Sequence, residues 1–341
     1  MIENIPEKII IIRFSSMGDV ILVSALFAAI KKMFPDCEIY LVTDPSYMEF
    51  FKDDWRLRNV YGISKKGSTV DNAIIETRWD LVVDLQKNRR SKALRQKIRY
   101  KKKLGVFRKH HLKRILKLFT RVNLYSAKDS VVMRYFSAAG IKIENSSLES
   151  GQLFFKESQF PEHITELIYT GGIIRPLIAL IPFAAWKNKE WFEERFVNVG
   201  QYFLVKGWDV CILGGPSEME RAAVMAQQIG QRCFSLAGKI TLYECGCLLK
   251  KCSLALGNDT GLSHLARACG VRTGIIYGPT TRHWGFYPYG NPPFKIFESS
   301  WFCRPCHAHG GNNCFFNKTC LKKISSDDVI KGLMDLVITS D

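Results

Sequence analysis

No run of apolar residues in this 341-residue chain approaches the roughly 20 that a bilayer-spanning helix requires, which argues against an integral membrane protein. The opening, MIENIPEKIIII, lacks the basic flank of a secretory leader and carries an acidic residue where that flank would stand, so a cytoplasmic chain is expected. Internal repeats and low-complexity tracts are absent, which excludes solenoids and disordered linkers as the organising theme. Acidic residues are missing altogether from 87 to 121, where 16 of 35 positions are Lys or Arg. That one block accounts for nearly all of the formal charge of +17 and points to a polyanionic partner: a nucleic acid, an anionic membrane surface or a phosphorylated substrate. A solvated basic face that only aids solubility is the other reading.

What is present is globular. Apolar residues make up 47% of the chain, and its length suits two domains of roughly 150 residues each. In a cytoplasmic chain the 11 cysteines are expected to be reduced, so any cluster among them points to metal rather than disulfides. Short apolar runs alternate with helix-period segments: KIIIIR (8–13) and a helix over 19–34, EIYLVT (38–43), then WDLVVDL (79–85) before the basic stretch. A second series opens at PLIALIPF (176–183) and continues through 208–215, 232–238, 252–258 and 272–278. This order predicts an α/β chain of two doubly wound parallel sheets. The join falls near YTGGIIRP (169–176), giving domains 1–170 and 171–324 and a closing helix over 325–341.

Ligands of open α/β sheets bind where strands end and helices begin. RFSSMGD (13–19) is such a loop, with Ser15 and Ser16 as donors to an anion or hydroxyl and Gly18 permitting a tight turn. It is no dinucleotide fingerprint, having a single glycine. Asp19 follows as a helix cap or first-turn residue, and capping alone is a sufficient reason for it. The second loop, GNDTGLSHLARACGV (257–271), places Asp259, Thr260 and Gly261 at a helix start suited to a pyrophosphate, with Leu262 beside them and His264 in the first turn as a further donor. The next strand ends in YGPT (277–280), beside that site.

Four motifs in order, SSMGDV, K-x-W within WKNKEW (186–191), DTGLSHL (259–265) and GPT followed by Trp284-Gly285, resemble glycosyltransferase family 9, the ADP-heptose:lipopolysaccharide heptosyltransferases. The resemblance covers nearly the whole chain. It implies a GT-B architecture of two Rossmann-like domains facing a central cleft, the N-terminal one binding acceptor and the C-terminal one binding nucleotide sugar. It further implies inverting transfer without a metal cofactor, from ADP-heptose to a phosphorylated lipopolysaccharide core acceptor (Kdo/heptose–lipid A), in the cytoplasm of a Gram-negative bacterium. By the same resemblance Asp19 is the catalytic base, and Ser15, Ser16 and Gly18 form the acceptor loop. Lys189 contacts the donor diphosphate, Asp259, Thr260, Gly261, Leu262 and His264 wrap diphosphate and sugar, and Glu218 holds the ribose, with Glu220 as the alternative register. Alternatives are a family member glycosylating a protein or another surface glycan, an epimerase on the same scaffold, and, from a different class, a nucleic-acid-binding protein. No RNA- or DNA-reading motif accompanies the basic block, so no nucleic acid is expected.

Given such an acceptor, the segment 87–121 acquires a role at the anionic inner face of the inner membrane. RRSKALRQKIRY and HHLKRILKLF read as amphipathic helices able to lie on a bilayer. Equally, Leu112, Ile115, Leu116 and Phe119 read as ordinary core. Finally, Cys303, Cys306, Cys314 and Cys320 follow the pattern C-x2-C-x7-C-x5-C, which suits a structural zinc or iron. Buried free thiols or a redox-labile loop are the other reading.

Overall fold

The computed structural model describes residues 6–65, 70–108, 111–120, 125, 130–142, 151–156, 162, 164–165, 175–281, 284–307 and 309–338. The chain divides into two compact units. The first comprises 1–115, 123–155 and 283–289, and the second 116–122, 156–282 and 290–341. The join expected at 169–176 lies mostly outside the described residues.

In the first unit β1 (Lys8–Ile12), α1 (Met17–Leu22), α2 (Ser24–Met33), β2 (Glu38–Thr43), β3 (Leu57–Gly62), α3 (Asn72–Glu76), β4 (Arg78–Asp84), α4 (Arg89–Lys97), β5 (Arg99–Val106) and, after α5 (His111–Thr120), α6 (Val131–Ala139) follow one another; of α5, 111–115 fall in the first unit and 116–120 in the second. The sheet is wholly parallel, in the order β3-β2-β1-β4-β5, with Ile10 opposite Tyr40 on one side and Val82 on the other. The isoleucines of β1 are fully buried, as a central strand covered on both faces requires. Ile10, Ile12 and Val82 pack with Phe14, Trp79 and Leu94 on one face.

The second unit contains β6 (Leu177–Ile181), α7 (Glu193–Val205), β7 (Asp209–Ile212), α8 (Met219–Ile229), β8 (Cys233–Ser235), α9 (Leu242–Lys251), β9 (Leu254–Asn258), α10 (Gly261–Ala268), β10 (Arg272–Tyr277), β11 (Phe294–Glu298), α11 (Thr319–Lys322) and α12 (Ser326–Ile338). Its parallel sheet runs β11-β10-β9-β6-β7-β8, with Leu180 opposite Leu256. Ile178, Leu180, Leu256, Phe196, Phe203 and Leu333 anchor its core.

Both units are doubly wound, as the strand-helix alternation predicts. In such sheets the ligand crevice opens where the strand order reverses, between β1 and β4 in the first unit and between β6 and β9 in the second. Two expectations are corrected in detail. The single helix over 19–34 is two, α1 and α2, meeting at Val23, whose amide bonds Val20 O three residues back. The helical reading of 89–100 ends at Lys97, and 99–106 is the edge strand β5, where charged side chains mask the period-2 signal and guard the open edge. Among the described residues no helix is long and apolar enough to cross a membrane.

Candidate active site

The loop after β1 is built around one carboxylate. Gln86, just beyond β4, accepts the amides of Phe14 and Ser15 on its Oε1 at 3.0 and 3.1 Å, fixing the path of the chain. Ser16 is the N-cap of α1 and Asp19 its third residue. Asp19 Oδ2 accepts from Ser16 Oγ at 2.8 Å and from the Ser16 amide at 3.3 Å. Asp19 Oδ1 meets Arg13 Nη2 at 2.7 Å and accepts from the Tyr135 hydroxyl at 3.3 Å. The side chain keeps 13% of its surface exposed, so a substrate can still reach it. Gly18 is buried in the first turn of α1 at ordinary helical dihedrals, which corrects its expected role as a tight-turn residue.

Burial pushes the Asp19 carboxyl upward, but the Arg13 guanidinium and the two Ser16 bonds outweigh it and hold the group below the usual carboxylate range. Burial likewise opposes the charge on Arg13, while Asp19 raises it. Tyr135 is driven well above its ordinary value, chiefly by burial, and stays a neutral donor. Arg13 lies over the rings of Phe107 and Tyr135, at 6.0 and 5.7 Å from their centroids. Asp19 is thus both cap and oriented carboxylate, ionised throughout the physiological range.

In the second unit the turn at 187–189, after β6, brings Lys189 Nζ to 2.7 Å from Asp259 Oδ2 and 3.0 Å from Asp259 O, just beyond β9. Thr280 Oγ1 donates to the same Oδ2 at 2.9 Å. Burial raises the Asp259 carboxyl, and the Lys189 charge and hydrogen bond overcome this to hold it below its ordinary value, with His264 and Thr280 contributing. Asn258 ties the two loops together, donating to Pro182 O at 2.6 Å and accepting the Trp191 amide at 3.0 Å. Gly257 is required by close approach, since a Cβ there would lie 2.4 Å from Ser263 Oγ. Thr260 caps α10, yet its Oγ1 is buried without a hydrogen-bond partner. Gly261 and Leu262 begin the helix, where first-turn amides have no intrahelical acceptor, and His264 is buried on it. Lys189, Asp259, Thr260 and the start of α10 therefore form one anion-receptive group. Glu218 lies apart, after β7, where Oε2 accepts the Gly215 amide at 2.7 Å and Oε1 accepts Ser217 Oγ at 2.8 Å. Glu220 is exposed in the first turn of α8.

The cysteine-bearing loop 303–320 braces the turns at 187–189 and 278–280. Asn188 Nδ2 donates to Asn313 O at 2.5 Å and its amide to Gly311 O at 2.9 Å, while Arg304 Nε donates to Gly278 O at 2.6 Å and Nη2 to Thr280 O at 3.1 Å. The expected metal set is corrected here. Among the described residues no three His, Cys, Asp or Glu side chains are placed to hold an ion, and Cys303, Cys306, Cys314 and Cys320 do not converge as ligands. These thiols still feel one another: burial, followed by the neighbouring Cys303, Cys320 and Cys314, pushes Cys306 up to about 11.

Sequence reasoning passed over Arg13, Tyr135, Asn258, Thr280 and Arg304. Arg13 had a visible signal, a cation at the end of a fully buried strand. Tyr135 had none, because 116 positions separate it from Asp19.

A chain with this double arrangement matches solved and curated proteins along almost its entire length. It is 21% identical over 339 residues to lipopolysaccharide heptosyltransferase 3 of Escherichia coli, covering 95% of this chain and 97% of the relative. With lipopolysaccharide heptosyltransferase 1 of Campylobacter coli it shares 25% over 295 residues, 80% of this chain and 84% of that one. The fold superimposes on E. coli ADP-heptose lps heptosyltransferase II with a TM-score of 0.75 at 19% identity, covering 97% and 99% of the two chains. These neighbours share the GT-B fold, here built as two Rossmann-like domains. The model of glycosyltransferase family 9 (heptosyltransferase) matches residues 69–308, which run from α3 through β11 and include Lys189, Asp259, Thr260 and the start of α10: the chain belongs to that glycosyltransferase family.

Proposed function

We propose that this protein transfers heptose from ADP-heptose to a phosphorylated lipopolysaccharide core acceptor, with inversion at the anomeric carbon and without a metal cofactor. The observation that carries the reading is the unpartnered, buried Thr260 Oγ1 at the start of α10, beside a lysine already fixed at 2.7 Å from Asp259. A diphosphate supplies the acceptor oxygens that the hydroxyl and first-turn amides lack, and Lys189 supplies charge as the leaving group develops its own. This fixed positive potential does the work that a cation does elsewhere. Glu218 is assigned to the ribose, its carboxylate being held at the carboxyl end of β7.

Asp19 is the base in this scheme. One carboxylate suffices, because a diphosphate departs without protonation. Its low basicity suits a late proton transfer: the acceptor hydroxyl becomes acidic as its oxygen bonds to the anomeric carbon, and the proton passes then to Asp19. Arg13 and Tyr135 hold Asp19 as positioning residues. Core acceptors are embedded in an anionic leaflet, so the enzyme is assigned to the cytoplasm, at the inner face of the inner membrane.

The test combines purified protein, ADP-heptose and a Kdo–lipid A acceptor, with chelator present. Formation of an ADP product and an inverted heptoside supports the reading. A shift in thermal melting with UDP, GDP or CMP, and none with ADP, would assign the donor elsewhere, and loss of transfer on chelation would remove the metal-free mechanism.

A further inference from the structure

The helix α5 turns its apolar residues outward. Leu112, Ile115, Leu116 and Phe119 recur at i, i+3, i+4 and i+7, the spacing of one helical face, and are 77%, 51%, 43% and 83% exposed. This overturns their reading as core. The ten-residue helix also carries Lys113, Arg114 and Lys117 in its sequence and no acid. Before it in the chain, Lys87, Arg89, Lys92, Lys97, Arg99 and Arg108 are exposed as well.

We infer that α5 is an interfacial anchor that seats this chain on an anionic bilayer, with Leu112, Ile115, Leu116 and Phe119 entering the headgroup boundary and the basic segment 87–121 held by lipid charge. An apolar stripe alone does not name its occupant; charge complementarity does. A block with 16 cations and no acid is repelled by a second copy of itself and attracted by an anionic leaflet. Nucleic acid would satisfy the charge but leave four exposed apolar side chains without a role. The amphipathic pattern, short and cationic, is that of a helix lying in the interface rather than crossing it. The inference draws its biological sense from the proposed glycolipid acceptor, but its primary readout, vesicle binding, needs neither donor nor acceptor.

Flotation of the full chain with vesicles of about 30% phosphatidylglycerol in phosphatidylcholine should recover it with the lipid at low salt, and recovery should fall as salt is raised. Vesicles of phosphatidylcholine alone should bind it weakly. Leu112→Ser/Phe119→Ser alters exposed residues, so its thermal melt should match wild type while partition onto the charged vesicles weakens at least about tenfold. Transfer to a soluble, delipidated acceptor should be unchanged in this variant. Equal binding of the variant and wild type would overturn the inference, as would a lipid-free dimer abolished by the substitution with no vesicle binding, or binding of RNA in place of vesicles. An active transferase that ignores vesicles would refute the anchor alone, whereas a vesicle-binding protein that transfers nothing would refute the functional reading alone.

Discussion

Removing the Lys189 ammonium should separate its structural from its donor-binding work. Lys189 Nζ and Asp259 Oδ2 are 2.7 Å apart, with 15% and 9% of their side chains exposed. At an effective dielectric near 20 their attraction is ~6 kcal/mol, much of which the cost of desolvating both charges offsets. Lys189→Met leaves Asp259 buried with only Thr280 and the field of His264, so breaking the pair should cost about 3–5 kcal/mol and lower the melting temperature by on the order of 10 °C. Adding Asp259→Asn removes the uncompensated charge and should restore most of that stability. ADP affinity, measured by titration calorimetry, should fall roughly 10- to 100-fold in the single variant, the value of one charge-assisted contact. It should stay low in the double variant. Recovery of ADP affinity together with stability would refute the reasoning, because Lys189 would then serve only as the partner of Asp259.

Two further outcomes follow from the orphaned hydroxyl and the paired base. Thr260→Val deletes an Oγ1 that bonds nothing in the protein, so unfolding should be nearly unchanged while ADP binding weakens about fivefold; unchanged affinity would remove the hydroxyl from the donor site. Arg13→Gln removes the largest influence that lowers the Asp19 carboxyl, leaving burial opposed by the Ser16 bonds alone, so its pKa should rise. With Asp19 as the proposed base, transfer requires the ionised form, so the acid limb of kcat/KM should move to higher pH. In wild type the stability that Asp19 contributes is present above the ordinary carboxylate range and lost only as pH falls through its depressed native value. In the variant that contribution should shrink, so less stability should be lost on acidification in urea titrations, and coincident acid limbs would contradict the pairing.

The alternation of apolar runs with helix-period segments was enough to foresee both parallel sheets, because central strands buried on both faces, such as β1 and β9, read as unbroken apolar runs. Strands β3, β5 and β11 escaped notice, since edge positions admit Arg58, Asn59, Lys101 or Lys295 without cost. The site divides in the same way. Asp19, Lys189 and Asp259 lie in loops whose composition interrupts the apolar pattern. Tyr135 matters through contacts made only when distant segments pack, and no local pattern encodes those. The cysteine spacing was legible, and the four thiols lie near enough to raise one another, yet among the described residues no three ligating side chains are placed to hold an ion. Here the backbone of 303–320 is instead committed to Asn188 and the 278–280 turn.

The central claim is that Asp19 removes the acceptor proton. Asp19→Asn keeps the size of the side chain while removing its charge. Assayed with ADP-heptose and a Kdo–lipid A acceptor, it should lose about 1,000-fold or more in kcat, within the range for deleting a general base, with ADP affinity within about twofold of wild type. Turnover near wild type would contradict the account.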